Sequence, residues 1–137
     1  MIFYRKEVKM GTNKKILVVD DEPDVLRYLE TFFKDNGFDV VTAVNGAECM
    51  TKALAESPDL ITLDISMPSE SGVRAFRDLQ ENDKTKDTPV IIITGISGEF
   101  KRFISTRKQV HPPIDYFEKP IDREKVMASV KRILKID

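Results

Sequence analysis

Short apolar runs alternate with stretches of helical periodicity along most of this chain. Five runs have the length and β-branched content of strands: Ile16–Val19, Phe38–Ala43, Leu60–Leu63, Pro89–Thr94 and Ile114–Phe117. Apolar residues recur at helical spacing between these runs and after the last one. The pattern therefore predicts five successive βα units, (βα)5.

The predicted helices have recognisable ends. Pro23 suits the first turn of the first helix, and Asn36-Gly37 ends that helix because glycine takes the left-handed cap conformation readily. Asn45 and Asp122 are placed to cap the second and the last helix.

Each predicted helix has one apolar inner face. A loop over Met67–Gly72 leads to the third helix, and the fourth, at Ser97–Arg107, ends before Pro112 because proline cannot continue a helix. The predicted inner faces, in helix order, are Val25, Leu26, Leu29, Phe32 and Phe33; Ala47, Met50 and Leu54; Val73, Phe76 and Leu79; Phe100, Phe103 and Ile104; and Val126, Met127, Val130, Ile133 and Leu134.

The strand sequences also predict the architecture. Near-continuous apolar strands are typical of a sheet covered on both faces, and such sheets are parallel. Right-handed crossovers then give a doubly wound sheet of the α/β class. The 137 residues suffice for one domain. Residues 1–14 precede the first strand and are predicted to be a flexible N-terminal extension; the alternative is a short element packed on the domain or on a partner.

Composition excludes several classes of protein. The chain is 41% hydrophobic and 33% charged with a formal charge of -1, so no overall field favours nucleic acid or a membrane surface. The single cysteine, Cys49, excludes an internal disulfide and a cysteine-based zinc cage, and a reducing, cytoplasmic location is expected. No apolar stretch approaches the length of a membrane span, and the N-terminus lacks the apolar region of a secretory signal.

Polar side chains follow four of the predicted strands. Asp20 and Asp21 follow the first, Asp64 the third, Thr94 ends the fourth and Lys119 follows the fifth. Open α/β sheets place their sites at this edge. Three carboxylates together need a cation, and hard oxygen ligands favour Mg2+ or Mn2+. With an ammonium and a hydroxyl beside them, they predict a phosphoryl site with a carboxylate nucleophile.

Each of these residues also has a simpler explanation when taken alone. Asp20 or Asp21 could cap the first helix, Thr94 could hydrogen-bond to its own loop, and Lys119 could be a solvated surface residue. Their joint occurrence at four strand ends of one sheet makes the simple explanations improbable.

Four stretches around these residues carry a family resemblance: Ile16–Pro23, Leu63–Pro68, Ile93–Gly95 and Tyr116–Pro120. In this combination the sequence resembles the receiver domain of two-component response regulators, the CheY-like family, over residues 15–137. The resemblance implies the flavodoxin-like strand order 2-1-3-4-5.

The resemblance assigns roles to the acidic residues. Asp64 would be the phospho-acceptor. Asp20 and Asp21 would hold Mg2+ together with Asp64 and the backbone carbonyl of Ser66.

The resemblance also implies a switch. Thr94 and Lys119 would contact the phosphoryl oxygens, and the Lys119–Pro120 peptide would be cis. Tyr116 matches the aromatic residue that rotates inward on phosphorylation and remodels the face of the fourth helix, fifth strand and fifth helix. A half-buried strand aromatic with its hydroxyl in water is the alternative for Tyr116.

Partners follow from the same resemblance. The phosphoryl donor would be a histidine kinase or a phosphotransfer protein, and the output would be a protein target at the switch face or a phosphorylation-dependent dimer. Direct binding of nucleic acid is disfavoured, and the chemistry would be autocatalytic acceptance rather than enzymatic turnover. The chain is either a stand-alone receiver or a fragment of a longer regulator or hybrid kinase.

Two other functions stay open at this point. A haloacid-dehalogenase-type phosphatase or phosphotransferase also uses a strand-end aspartate, Mg2+, a threonine and a lysine, but it normally has a second acid at the position of Ser66. A receiver fold that serves only as a non-phosphorylated interaction module is the other alternative, and the intact acidic set argues against it.

The region between Thr94 and Lys119 departs from the family pattern. It is longer than usual, and Val110–Ile114 stands where the family commonly has Gly-Ala. His111 is interpreted as a loop residue. Four basic side chains in this region are interpreted as a solvated helix face. A docking surface for an acidic partner is the less favoured alternative. The four side chains are those of Lys101, Arg102, Arg107 and Lys108.

Overall fold

A computed structural model describes residues 11–95 and 113–137 of the chain. These residues form a five-stranded parallel sheet in the order β2-β1-β3-β4-β5, as predicted. The strands are β1 (Lys15–Val19), β2 (Asp39–Ala43), β3 (Leu60–Asp64), β4 (Val90–Thr94) and β5 (Asp115–Glu118). The helices are α1 (Pro23–Asp35), α2 (Gly46–Glu56), α3 (Ser71–Glu81) and the C-terminal helix (Arg123–Leu134).

Some sequence predictions lie outside the described residues. They include the fourth helix at Ser97–Arg107 with its basic side chains, and His111. The four described helices match predicted ones, so the α/β, doubly wound architecture is confirmed for the part of the chain that the structure describes.

The sheet buries an apolar cluster on each face. On one face, side chains of the central strands such as Leu17 and Leu63 pack with α2 and α3. On the other, alternate side chains such as Val18 and Ile91 pack with α1 and the C-terminal helix. Successive strand residues point to opposite faces, so both need apolar side chains. This explains why the central strands read as continuous apolar runs.

The predicted end signals at Asn45, Asp122 and Gly37 are confirmed. Asn45 Oδ1 accepts a hydrogen bond from the Glu48 N–H at 2.8 Å, and the Asp122 carboxylate accepts from the Glu124 N–H at 3.1 Å. Gly37, just past α1, has a φ of 91°, a conformation that favours glycine.

The predicted inner face of α2 is wrong at two of its three positions. Ala47 and Leu54 are exposed, and Met50 is only partly buried. The residues that α2 buries are Gly46, Cys49 and Ala53.

A close approach between α2 and α3 explains this difference. The Gly46 N–H donates to Ser71 Oγ, and a Cβ added at Gly46 would lie 2.4 Å from the Ser71 carbonyl oxygen. Only small side chains fit on a helix face held this close to its neighbour, so the larger apolar residues turn outward. The predicted loop over Met67–Gly72 also differs, because Pro68–Glu70 forms a 3-10 turn and α3 begins at Ser71.

Backbone contacts begin before the first strand. The Thr12 N–H donates to the Gly37 carbonyl at 2.8 Å, and the Lys14 carbonyl accepts from the Asp39 N–H at 3.0 Å. Residues 11–14 of the predicted extension are therefore attached to the turn between α1 and β2, and residues 1–10 lie outside the described ranges. Among the described residues, no helix has both the length and the apolar character needed to cross a membrane.

The buried thiol of Cys49 gives a test of this packing. Its exposed fraction is 0%, and burial raises its pKa to about 12. We expect Cys49 to react with a thiol reagent such as dithiobis-nitrobenzoate only as the domain unfolds, because thiolate is the reactive form. The measurement is the labelling rate against urea concentration. Rapid labelling of the native protein would contradict the placement of Cys49 between α2 and the sheet.

Candidate functional site

Three carboxylates meet at the carboxyl edge of the sheet. Val19 pairs with Leu63 in register, so the residues that follow them, Asp20 and Asp64, lie side by side. One carboxylate oxygen from each of Asp20, Asp21 and Asp64 lies within 4.8 Å of the other two. Asp20 and Asp64 are buried, whereas Asp21 is exposed. The structure thus brings together the acidic set that the sequence predicts.

Lys119 supplies the cation of the cluster. Its Nζ lies 3.0 Å from Asp20 Oδ2, 3.3 Å from Asp64 Oδ2 and 2.8 Å from Glu22 Oε1. Partial burial opposes the charge on this ammonium, but the surrounding carboxylates outweigh it and raise the pKa of Lys119. The Lys119–Pro120 peptide is cis, as predicted.

Asp20 is held in a poorly solvated position. Burial raises its pKa, against the lowering effect of the Glu22 N–H hydrogen bond and of the nearby Lys119 ammonium. Its Oδ1 accepts from the Glu22 N–H at 2.9 Å. Its buried Oδ2 is near Lys119, but the geometry is that of an ion pair without an aligned hydrogen bond among the described residues. A buried carboxylate oxygen without a hydrogen bond, beside two other carboxylates, fits a divalent cation.

The Asp64 carboxylate is oriented on both of its oxygens. Oδ1 accepts from the Ser66 N–H at 2.8 Å and from Ser66 Oγ at 2.6 Å, while Oδ2 faces Lys119. The Ser66 hydroxyl contact was not foreseen from the sequence. The predicted role of the Ser66 carbonyl as a metal ligand stays a prediction.

Thr94 lies on β4, the neighbour of β3, and Tyr116 lies on β5, the edge strand beyond β4. Thr94 is fully buried at the end of β4, and its carbonyl accepts from the Lys119 N–H at 2.8 Å. Tyr116 packs against the core, and its hydroxyl donates to Glu118 Oε2 at 2.9 Å. Desolvation and this carboxylate raise the pKa of Tyr116 to about 12. The switch roles of both residues stay predictions.

Glu22 and Gly72 belong to this site and were missed as functional residues. The position of Glu22 directly after the aspartate pair is the only sequence signal for its contact with Lys119. Gly72 lets α3 press against the end of β3: a Cβ there would lie 2.2 Å from the Asp64 carbonyl oxygen. Nothing in the sequence distinguishes that glycine from one in an ordinary loop.

Comparison with known proteins identifies the family. A model of the response regulator receiver domain matches residues 16–131. The chain is 36% identical over 123 residues to the alkaline phosphatase synthesis transcriptional regulatory protein PhoP of Bacillus subtilis, covering 90% of this chain and 49% of that protein. It is 32% identical over 120 residues to the protein PilH of Pseudomonas aeruginosa, covering 88% and 97%.

Solved structures agree with the fold. A CheY-like receiver domain from Methanospirillum hungatei has a TM-score of 0.78 at 22% identity, covering 90% of this chain and 95% of that one. The response regulator TrrA of Thermotoga maritima, solved in complex with Mg2+-BeF, has a TM-score of 0.74 at 30% identity, covering 88% and 98%.

The chain therefore belongs to the response regulator receiver domain family and is a receiver domain of two-component systems. Receiver domains of response regulators interact with histidine kinases or phosphotransfer proteins. The chain spans about half the length of the curated relatives PhoP and PrrA, at 49% and 51%.

Replacement of Gly72 tests how α3 supports the acidic cluster. In Gly72→Ala the new methyl group would meet the Asp64 carbonyl and the Ile65 backbone. We expect the free energy of unfolding to fall by about 3 kcal/mol, a large overpacking effect. Urea denaturation measures it.

Gly95→Ala is the matched control, since its Cβ would lie 3.6 Å from Lys119 Cδ, an ordinary contact. Neither glycine has a positive φ, so neither substitution forces alanine into a left-handed backbone conformation. Helix propensity favours alanine at Gly72 in α3, so a larger stability loss there would come from the lack of space. Equal stability losses in the two variants would argue against the close approach of α3 to β3.

Proposed function

We propose that Asp64 accepts a phosphoryl group from a phosphohistidine of a histidine kinase or phosphotransfer protein. An Asp64 carboxylate oxygen forms a bond to phosphorus, the bond from phosphorus to the histidine nitrogen breaks, and that nitrogen keeps the electron pair. One observation carries this proposal: Asp20, Asp21 and Asp64 form a tight cluster in which Lys119 lies against two of them.

The surrounding residues would stabilise the transferred group. Asp20, Asp21 and Asp64, with the Ser66 carbonyl, would hold Mg2+, or Mn2+ in its place, and the ion would offset negative charge on the carboxylates and phosphoryl oxygens.

Two further side chains would contact the phosphoryl group directly. The Lys119 ammonium would pair with a phosphoryl oxygen, and the Thr94 hydroxyl would donate to another. Both already flank the site, because Thr94 ends β4 and Lys119 follows β5.

The outcome of transfer would be a signal and not a released product. Asp64 would be modified once per event, so the domain would be a phosphoryl acceptor and not a turnover enzyme. Movement of Thr94 toward the phosphoryl group and rotation of Tyr116 would change the surface around β5. A downstream protein, or a second copy of this chain, would read that change.

An apolar patch beside Lys119 supports docking of a protein donor. Val25 and Tyr28 of α1 line a depression with Pro120 and Ile121, and Tyr28 is 44% exposed. Lys119 lines the same depression, and its Nζ lies 3.3 Å from Asp64 Oδ2, so a donor domain packed on this patch would lie beside the acceptor.

Phosphorylation by a small donor tests the acceptor. The protein is incubated with Mg2+ and acetyl phosphate, and its intact mass is measured. We expect addition of one phosphoryl group, and none in Asp64→Asn, which keeps the side-chain shape but removes the nucleophile. Repeated turnover of the donor without a stable adduct would indicate an enzyme. No adduct with any donor would indicate a non-phosphorylated interaction module.

Asp21→Ala separates metal binding from folding. Asp21 is the exposed member of the cluster, so its removal relieves carboxylate repulsion and leaves the core intact. We expect phosphorylation to be lost while the urea midpoint is kept or raised. An unfolded Asp21→Ala variant would mean that the acids have a structural role.

The docking patch has its own test. In Tyr28→Ala, transfer from a phosphorylated histidine phosphotransfer domain should slow roughly tenfold, as for an interface anchor of about 1–2 kcal/mol, while acetyl phosphate labels at the wild-type rate. Leu54→Ala is the matched control, since Leu54 is 41% exposed near the far end of α2. Equal effects of the two substitutions on the transfer rate would contradict the proposal that the donor domain packs on α1.

A further inference from the structure

The Lys119 ammonium makes its shortest contact with a residue outside the aspartate cluster. Glu22 Oε1 lies 2.8 Å from Lys119 Nζ, compared with 3.0 Å for Asp20 and 3.3 Å for Asp64. The Glu22 side chain is 60% exposed, whereas those of Asp20 and Asp64 are 1% and 2% exposed. Glu22 is therefore the solvent-exposed partner of an ammonium whose other two partners are buried.

We propose that Glu22 is a positioning residue for Lys119. The ammonium is shared among three carboxylates, and Glu22 is the exposed one. When a divalent cation approaches Asp20 and Asp64, Lys119 can stay paired with Glu22, so it competes less with the cation for the buried acids. This inference rests on the proposed function, since it concerns the same acids and the same ion.

The physical basis is a competition between two cations for the same oxygens. Lysine carries a compact charge on a flexible stem, so its ammonium moves to wherever the carboxylates draw it most strongly. Attraction to Asp20 and Asp64 is strong because these carboxylates are buried, where charges are poorly screened. Without Glu22, Lys119 would pair with Asp20 and Asp64 alone and would compete more strongly for the oxygens that the divalent ion needs.

The backbone fixes Glu22 for this role. Its N–H donates to Asp20 Oδ1 at 2.9 Å, and its carbonyl accepts from the Leu26 N–H at 3.0 Å in the first turn of α1. The backbone of Glu22, from which the side chain extends, is thus hydrogen-bonded both to the acidic cluster and to α1. A 60% exposed acid adds little to stability, so its effect should appear in cation affinity and not in unfolding.

The test is a double-mutant cycle on Mg2+ affinity. Titration calorimetry on the full chain measures the Mg2+ dissociation constant for wild type, Glu22→Gln, Lys119→Met and the double variant. We expect Glu22→Gln to raise the constant roughly fivefold, a coupling typical of residues in contact. Lys119→Met should lower it, because the competing ammonium is gone. In the Lys119→Met background, Glu22→Gln should have little further effect.

Asp24→Asn is the charge-matched control. Asp24 is an exposed acid two residues further along, in the first turn of α1, so its neutralisation changes the field by the same unit charge. We expect a change of less than about twofold, as for a screened surface charge. Urea midpoints of all variants confirm that each is folded.

Two results would overturn the positioning role alone. One is a Glu22→Gln effect no larger than that of Asp24→Asn. The other is a Glu22→Gln effect that persists in full without Lys119, since Glu22 would then act on the ion directly. A wild-type chain that binds no Mg2+ and accepts no phosphoryl group would instead overturn the proposed function and this inference with it.

Discussion

Accumulated negative charge at the carboxyl edge of the sheet constrains the rest of the structure. Asp20 and Asp64 are buried side by side, and Asp21 lies within reach of both. Such a group is stable only with positive charge among its oxygens. Lys119, which follows β5, provides that charge. The order of the strands brings Lys119 to this edge of the sheet, and Glu22 contacts the same ammonium.

Packing behind the cluster is equally restrictive. The carbonyl of Asp64 lies against the first turn of α3 at Gly72. Glycine is the only residue type that fits at this position without a shift of the α3 backbone or of the end of β3. The same tight packing continues between Gly46 and Ser71. The end of β3 is therefore fixed by backbone contacts, which cannot relax as side chains do. A rigid frame of this kind would suit the proposed role of Asp64, whose carboxylate would have to meet its donor in one orientation.

These two constraints explain which features the sequence predicts. The five strands and the acid positions were found correctly because they depend on local patterns: apolar runs, capping residues and polar residues at strand ends. The inner face of α2 was predicted wrongly because close helix contact selects small side chains over apolar ones, which periodicity does not reveal. The contact between Lys119 and Glu22 spans 97 residues of sequence. Such a contact exists only once β1 and β5 are placed in one sheet, so no local pattern announces it.

The same geometry couples the site to the surface around β5. The Lys119 N–H is bonded to the Thr94 carbonyl, so β4 and β5 remain joined up to the site itself. One residue before Lys119, Glu118 accepts the Tyr116 hydroxyl. At the other end of the strand, Asp115 is bonded to Ser129 of the C-terminal helix at 2.6 Å.

Asp115 also holds the strand electrostatically. Partial burial opposes its ionisation, but hydrogen bonds from Ser129, the Tyr116 N–H and Arg132 outweigh this effect and lower its pKa. β5 is thus hydrogen-bonded to the C-terminal helix at its first residue, Asp115. Its last residue is followed by Lys119, which is ion-paired with Asp20 and Asp64. A change in the charge on Asp64 would act first on Lys119, which directly follows β5. Glu118 precedes Lys119 and is hydrogen-bonded to Tyr116, so under the proposed function β5 would be the strand that responds to a shift of the ammonium.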